Sequence, residues 1–401
     1  MKKLHYRELW CSSPRYWGGL AFLGFIILVG MAAAYYMEHN GHWVTGMSNQ
    51  VVWGLPHVFA IFLIVAASGA LNVASIGSVF GGPMYKPLGR FSGLLAIGLL
   101  AGGLVVLLLD LGRPDRLIVA MTHYNFRSIF AWNIILYTGF FTIVGVYLWT
   151  MIDRKVNNYY KPVGFAAFFW RLALTTGTGS IFGFLVAREA YDAAIMAPMF
   201  IIMSFSFGLA FFIITLISAY WWAGRTLGGL RLAKLKNLLG VFVGAVLYFT
   251  LVYHLTNLYV EQHGGVERFI LLNGGVYTLM FWLGHVLVGS IIPLFLLYSP
   301  AFSESRGSVV VASILVLIGG FFQLYVIVIG GQAYPMSLFP GKDVLASSFL
   351  DGAVADYIPS LPEALLGIAG IAIAMTLVAV GSRMLKVLPE SLEDPADAEH
   401  A

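Results

Sequence analysis

The chain has 401 residues, of which 59% are hydrophobic and 10% are charged, and its formal net charge is +4. Soluble domains carry roughly 25% charged residues, so this composition excludes most soluble folds, and the apolar content excludes a disordered chain. The small positive charge gives no support for nucleic-acid binding. The sequence predicts an all-α polytopic membrane protein.

Cysteine usage restricts the cofactors that this sequence is able to hold. Cys11 is the single cysteine, and no C-x-x-C-H run is present. An internal disulfide is therefore impossible, and neither an iron–sulfur cluster nor a covalently attached c-type haem can be held by thiolates of this chain.

Ten apolar stretches are long enough to cross a bilayer, which needs about 20 residues each. We expect one integral membrane domain over 1–401, in which helices 2–5 and 6–9 form two four-helix bundles and the first and tenth helices flank them. The stretches are 16–37, 54–80, 88–109, 128–150, 164–187, 194–222, 238–260, 272–299, 308–330 and 362–382.

Lysine and arginine in the loops set the orientation. With the first residue inside, the inner segments carry sixteen of these residues and the outer loops carry six. The positive-inside rule therefore predicts that both termini are cytoplasmic. The longest loop, 331–361, would then lie outside and is mainly acidic, with Asp343, Asp351 and Asp356 against Lys342. An acidic tail over 388–401 would lie inside.

One set of polar residues falls near the outer surface on three consecutive elements. His57 begins the second span, Asp110 ends the third, and Arg113, His123 and Tyr124 follow before the fourth. A histidine beside a carboxylate suits proton exchange near neutral pH. Each residue also has a simpler interpretation. His57 could anchor its helix and His123 could be solvated. Asp110 could cap the loop or pair with Arg113 or Arg116.

A second set lies in the later spans. His254 and Glu261 are expected on one face of the seventh helix, His285 lies near the middle of the eighth, and Glu363 opens the tenth. Ionisable groups at membrane depth are functional candidates, so these four residues form a candidate proton path. They would equally suit satisfied hydrogen bonds between helices. Arg171, inside the fifth span, is expected to extend towards the membrane surface.

Several motifs resemble those of the NrfD/PsrC family, the membrane subunits of polysulfide-reductase-like complexes. The resemblance covers about residues 50–385, and its most specific part is Leu-Asp-Leu-Gly-Arg-Pro-Asp-Arg at 109–116. The remaining landmarks are the His57 segment with Ala-Ala-Ser-Gly-Ala at 66–70, His-Tyr-Asn-Phe-Arg-Ser at 123–128, Phe-Trp at 281–282 and the run from Tyr357 to Glu363. The ten-span length resembles the DsrP-type branch, which is associated with the DsrMKJOP complex of dissimilatory sulfur metabolism.

The resemblance implies a subunit in the cytoplasmic membrane of a prokaryote that binds menaquinone or ubiquinone near the outer face and holds no haem, iron–sulfur cluster or metal. His57 matches a position that holds a quinone carbonyl, and Asp110 matches an acidic position nearby. The implied partners are a ferredoxin-like iron–sulfur subunit on the outer face, cytochrome b- and c-type subunits, and membrane lipid. The subunit would not be catalytic alone. Thr178 occupies a position in the fifth span at which some relatives have histidine. Other relatives have a glutamate after the Phe-Trp pair, and in this sequence His285 is the residue nearest to that position.

Two other classes of protein fit parts of the pattern. A proton-coupled transporter would also have many spans and buried ionisable groups, although transporter sites lie near the midplane and His57 and Asp110 do not. A b-type cytochrome would need two histidines from different helices at one depth, for which His57 and His254 are candidates. The quinone-reactive subunit is the interpretation that explains the outer cluster best.

Overall fold

The computed structural model describes residues 5–9, 14–336 and 353–392. Cys11, Lys342, Asp343, Asp351 and the end of the acidic tail lie outside the described residues. Ten long helices, labelled α1 to α10, make up most of the part that is described. They are α1 Pro14–Asn40, α2 Leu55–Ser78, α3 Lys86–Leu109, α4 Ile129–Ile152, α5 Tyr160–Gly183, α6 Met196–Trp222, α7 Gly229–Tyr259, α8 Val276–Tyr298, α9 Arg306–Ala333 and α10 Leu361–Met384.

Every predicted span coincides with one of these helices. Within the described residues, nine helices are long and apolar enough to cross a membrane. The other, α5, has 24 residues but is less apolar, because it includes Lys161, Arg171 and three threonines. Helix α7 begins at Gly229, earlier than the predicted 238, since its first turns carry Arg231, Lys234 and Lys236 and resemble a loop in composition. The all-α polytopic architecture is confirmed.

Helices α2 to α5 form one four-helix bundle, and α6 to α9 form a second. Each helix packs on its neighbour in sequence, and the first and last helix of each group also touch. The bundles meet where α2 crosses α6. A Cβ atom at Gly69 would lie 1.5 Å from the carbonyl oxygen of Ser204, so only glycine allows the two backbones to come this close.

The second bundle contains three stretches of π-helix. They are Phe269–Asn273 between α7 and α8, Met280–Ile291 in α8 and Val326–Gly330 in α9. In a π-helix the backbone hydrogen bonds run to the fifth residue, which widens the turn, and such segments are frequent at functional sites.

Helices α1 and α10 flank the bundles. They pack on each other, and α10 also packs on α3 and α2. At the end where α1 begins and α10 ends, a short antiparallel pair joins β1 Tyr6–Arg7 to β2 Leu388–Pro389, with Tyr6 opposite Pro389. We call this end of the molecule the terminal end. Because α2 begins and α3 ends at the opposite membrane face, we call that face the His57 end.

Candidate functional site

A histidine–aspartate pair lies at the His57 end. Pro56 occupies the first turn of α2, and His57 follows it directly. Asp110 caps the end of α3. The Nδ1 atom of His57 lies 2.5 Å from Oδ2 of Asp110, whose side chain is completely buried. A carboxylate only accepts hydrogen bonds, so Nδ1 is the donor and Nε2 is left for another partner.

A cavity of about 470 Å³ opens beside this pair. Its volume falls within the range of small-molecule sites, roughly 300–1,000 Å³, and its walls are mostly aliphatic and aromatic. The polar side chains are His57 on one wall and Asn133, Tyr137 and Thr138 of α4. The remaining lining residues are Trp53, Ile61, Ile64, Leu104, Leu107, Leu108, Leu111, Leu117, Ala120, Met121, Phe130, Ile134, Ile181 and Phe182.

Trp53 forms part of the same wall and is held by the second bundle. Its ring stacks on the His57 ring with centroids 6.1 Å apart. The side-chain oxygen of Gln332, at the end of α9, accepts hydrogen bonds from the backbone N–H groups of Val52 and Trp53, both at 3.0 Å. The Gln332 amide donates in return to the Trp53 carbonyl oxygen at 3.0 Å. One side chain therefore fixes the backbone that precedes α2.

Glu363 holds the beginning of α2 from the other side and is completely buried. Its carboxylate accepts hydrogen bonds from the Tyr357 hydroxyl at 2.7 Å and from the N–H groups of Gly46 and Ser360 at 2.8 and 2.7 Å. The Tyr357 oxygen in turn accepts from the Leu55 N–H at 2.6 Å. Burial and then the neighbouring Glu363 raise the pKa of Tyr357, so the phenol remains a donor. The contacts of Glu363 are those of a structural anchor, and they do not reach the second bundle's histidines.

The structure does not bring Arg113, His123 and Tyr124 to the cavity. Arg113 pairs with Asp115 at 3.0 Å, and both side chains are exposed. This hydrogen bond lowers the pKa of Asp115. His123 is exposed and bonds Thr122, while the Tyr124 ring stacks on Phe126. These residues lie on the segment after α3, in which the short helix Leu117–Thr122 turns apolar side chains to the cavity.

A second histidine–carboxylate pair lies inside the second bundle. The Nδ1 atom of His254 is 2.6 Å from Oε2 of Glu267, and the Asn257 amide donates to Oε1 at 2.9 Å. Glu267 is completely buried. Sequence reasoning missed it, because it lies between two spans in a segment that resembles a loop. The expected neighbour, Glu261, is exposed, since α7 ends at Tyr259 and the backbone of Val260 is extended.

His285 is buried farther along the second bundle. Its Nε2 atom lies 3.3 Å from the Thr250 hydroxyl, which accepts a hydrogen bond from Gln323 at 3.1 Å. A cavity of about 20 Å³ lies beside His254, Thr250 and Gln323, and another of about 10 Å³ lies beside His285 and Gln323. The phenyl ring of Phe281 contacts both histidine rings, with centroids 4.7 Å from His254 and 6.1 Å from His285.

Two further expectations are corrected by the geometry. Arg171 does not reach the membrane surface, because its guanidinium lies between Phe168 and Phe205 and donates to the Asn72 side chain at 3.0 Å. The pair of haem ligands considered for a b-type cytochrome does not form either. His57 and His254 belong to different bundles, and each bonds its own carboxylate through Nδ1. In the described part of the chain, no group of three or more His, Cys, Asp or Glu side chains is arranged to hold a metal ion.

Comparison with known proteins gives the family. Residues 43–335 match the family described as polysulphide reductase, NrfD. The protein is 26% identical to the Hdr-like menaquinol oxidoreductase integral membrane subunit of Archaeoglobus fulgidus, over 96% of its own length and 97% of that protein. It is 24% identical to the protein NrfD of Escherichia coli, over 71% of its own length and 96% of that protein.

A third relative is the integral membrane subunit of the menaquinone reductase of Nitratidesulfovibrio vulgaris. It is 20% identical, over 96% of the present sequence and 94% of that protein. These similarities extend through both four-helix bundles, and the family match includes the histidine–aspartate pair and the Trp53 segment. The chain belongs to the NrfD family of integral membrane subunits.

Proposed function

We propose that this chain is the menaquinol-reactive membrane subunit of a multi-subunit redox complex and that the cavity beside His57 binds the quinone ring. One observation carries the proposal. The buried carboxylate of Asp110 bonds His57 at 2.5 Å on the wall of an apolar cavity of about 470 Å³. A quinone needs an apolar slot for its ring and polar groups at its carbonyl oxygens, and the cavity offers both.

The chemistry follows from the hydrogen bond between the two side chains. Oxidation of a quinol to a quinone releases two electrons and two protons. With Nδ1 donating to Asp110, Nε2 of His57 accepts the hydrogen bond from a quinol hydroxyl and then its proton. The anionic Asp110 stabilises the resulting imidazolium, as a carboxylate does when it orients a catalytic histidine. His57, whose side chain is 16% exposed, passes this proton to solvent, and the neutral imidazole then accepts the second proton. Reduction of a quinone uses the same groups in reverse.

The opposite wall supplies a second polar contact. Asn133 and Tyr137 line the cavity from α4. The Asn133 amide already donates to the carbonyl oxygens of Ile129 and Gly177. The Tyr137 oxygen accepts from the Thr178 hydroxyl but still has its own proton to donate, so it is the better candidate for the second quinone oxygen. Trp53, stacked on His57, would pack against the edge of the ring.

Electrons must leave through another subunit, which we place at the His57 end. The surface there combines the exposed cations Arg113 and Arg116 with exposed apolar side chains at Leu111, Ile118 and Phe126. A ferredoxin-like iron–sulfur subunit docked on this surface would receive electrons beside the cavity. With cytochrome b- and c-type subunits this would give a DsrMKJOP-like complex of sulfur metabolism, with the His57 end outside and both termini cytoplasmic.

The second bundle suits a proton path that is separate from the quinone cavity. We place it through Glu267, His254, Thr250 and His285, with Gln323 between the small cavities. The widened turns of the π-helices in α8 and α9 border these residues. Glu261 and Glu363 are left out, since the first is exposed and the second anchors backbone N–H groups.

Titration with a fluorescent menaquinol analogue tests the proposal. The wild-type protein, a His57→Ala variant and a His39→Ala control are compared at equal concentration. His39 is exposed at the same end of the molecule and does not line the cavity. Saturable binding that only His57→Ala loses would support the site. Unchanged binding by His57→Ala would show that the quinone binds at another site. If none of the three proteins bound the analogue, with or without partner subunits, the proposal would be wrong.

A further inference from the structure

A second cavity, of about 340 Å³, lies at the terminal end. Its walls come from α1, α3, α6 and α10, and none of its lining residues is shared with the cavity at His57. The walls are apolar, with Phe91 and Val378 towards the core and Phe22, which is 63% exposed, at the rim. The cavity is thus a groove between helices that opens on the lipid-facing surface.

One unpartnered polar atom lies in the wall of this groove, and a second lies on the neighbouring residue. Ser382 lines it and is 1% exposed, yet its hydroxyl has no hydrogen-bond partner among the described residues. The next residue, Arg383, has a buried Nη1 atom that also lacks a partner within the described part of the protein. Its guanidinium lies 4.7 Å from the ring centroid of Trp17 and 5.7 Å from that of Tyr16, which lines the groove. Buried polar atoms in native proteins are nearly always paired, so these two point to a ligand.

The surrounding charge favours an anion. Arg15 and Lys386 are exposed at the same end. Two acidic groups there are already paired, because Glu8 lies 3.7 Å from Lys386 and Glu390 lies 2.9 Å from Arg7. The donors of Arg225 at this end bond backbone carbonyl oxygens. Arg383 is therefore a cation beside the groove, and its Nη1 atom has no hydrogen-bond acceptor within the described part of the protein.

We propose that the groove binds one anionic phospholipid. An acyl chain fills the apolar part, and the phosphate accepts hydrogen bonds from Nη1 of Arg383 and from the Ser382 hydroxyl. Basic pockets between helices at a membrane face are suited to anionic headgroups, and charge-assisted hydrogen bonds to phosphate are among the stronger ones. A quinone carbonyl carries no charge, so a quinone would not form an ion pair with the Arg383 guanidinium. The site is independent of the function proposed above.

Lipid binding to the purified, delipidated protein tests this site. Phosphatidylglycerol and diacylglycerol with the same acyl chains are titrated separately, because diacylglycerol lacks the phosphate, and bound lipid is counted by native mass spectrometry. We expect one phosphatidylglycerol to bind about tenfold more tightly than diacylglycerol, the ratio that one charge-assisted hydrogen bond to the phosphate supplies. Arg383→Gln should remove this preference. Arg154→Gln, which replaces an exposed arginine on the α4–α5 loop, is the matched control and should retain it.

A second variant separates the groove from the headgroup contact. The Cβ atom of a larger residue at Gly19 would lie 3.9 Å from the Trp222 ring, so Gly19→Leu fits the backbone and fills the groove. It should weaken binding of both lipids. Equal affinities in the wild type, or a preference that survives Arg383→Gln, would overturn the proposal. Competitive displacement of phosphatidylglycerol by menaquinone would also overturn it and would assign the groove to a quinone.

Discussion

Replacing Asp110 by asparagine removes one negative charge from the candidate site and leaves its shape almost unchanged. The side chain is completely buried, and its Oδ2 atom bonds Nδ1 of His57 at 2.5 Å. Asparagine can still accept this hydrogen bond through its side-chain oxygen. What is lost is the anion that stabilises a protonated His57.

The size of the effect follows from the kind of hydrogen bond. A bond to a charged partner contributes about 1.5–3 kcal/mol and a neutral bond about 0.5–1.5 kcal/mol, so the substitution removes about 1–1.5 kcal/mol. Solvent screening is weak because the carboxylate is buried. We expect quinol oxidation by the complex to slow about tenfold. Binding of the quinol itself should change less, since the cavity walls remain.

Steady-state oxidation of a menaquinol analogue by the assembled complex measures this effect. Arg113→Gln is the control, because Arg113 lies at the same end but is exposed and pairs with Asp115. The control should keep the wild-type rate with an artificial electron acceptor. If Asp110→Asn and Arg113→Gln gave the same rate, the assignment of Asp110 to proton transfer would be refuted.

Three further substitutions test the contacts around the two bundles. Gln332→Ala leaves two backbone N–H groups without their partner, so it should destabilise the protein by about 1–3 kcal/mol, measured by thermal unfolding. Because Trp53 is released, quinol binding should also weaken in the analogue titration. An unchanged affinity would show that Trp53 does not need this support. Tyr357→Phe removes the link between Glu363 and α2 and should lower the unfolding temperature at neutral pH. Because the pKa of Tyr357 is raised in the folded state, the wild-type advantage should persist through neutral pH and shrink only above about pH 10, where the unfolded phenol ionises. Glu267→Gln should leave analogue binding intact and abolish proton uptake by vesicles containing the complex; uptake at the wild-type rate would remove the second bundle from the proton path.

The helices could be predicted because the bilayer imposes their length. Each apolar stretch of about 20 residues became a long helix, but the charged beginning of α7 and the end of α9, Gly331–Ala333, were assigned to loops. The packing of α2 against α6 through Gly69 was not predictable, since one sequence gives no sign of which small residues face another helix.

The candidate site was only partly predictable, for physical reasons. His57 and Asp110 stand out because ionisable residues at helix ends on one membrane face can meet. Arg113 and His123 share that face, but loop residues can turn towards water, and they do. Glu267 was missed because a buried carboxylate in a short segment between spans has the local composition of a loop. The contact of Gln332 with Trp53 joins residues far apart in the sequence, and an uncharged glutamine gives no signal there.

Photolabelling with an azido-menaquinone tests the central claim most directly, because it reports where the quinone ring lies. The assembled complex is irradiated with the label, digested and mapped by mass spectrometry, with excess menaquinone as competitor. The account predicts competable labelling of peptides that line the His57 cavity, from α2, α4 and the short helix Leu117–Thr122. Competable labelling confined to the second bundle or to the groove beside Arg383 would contradict it.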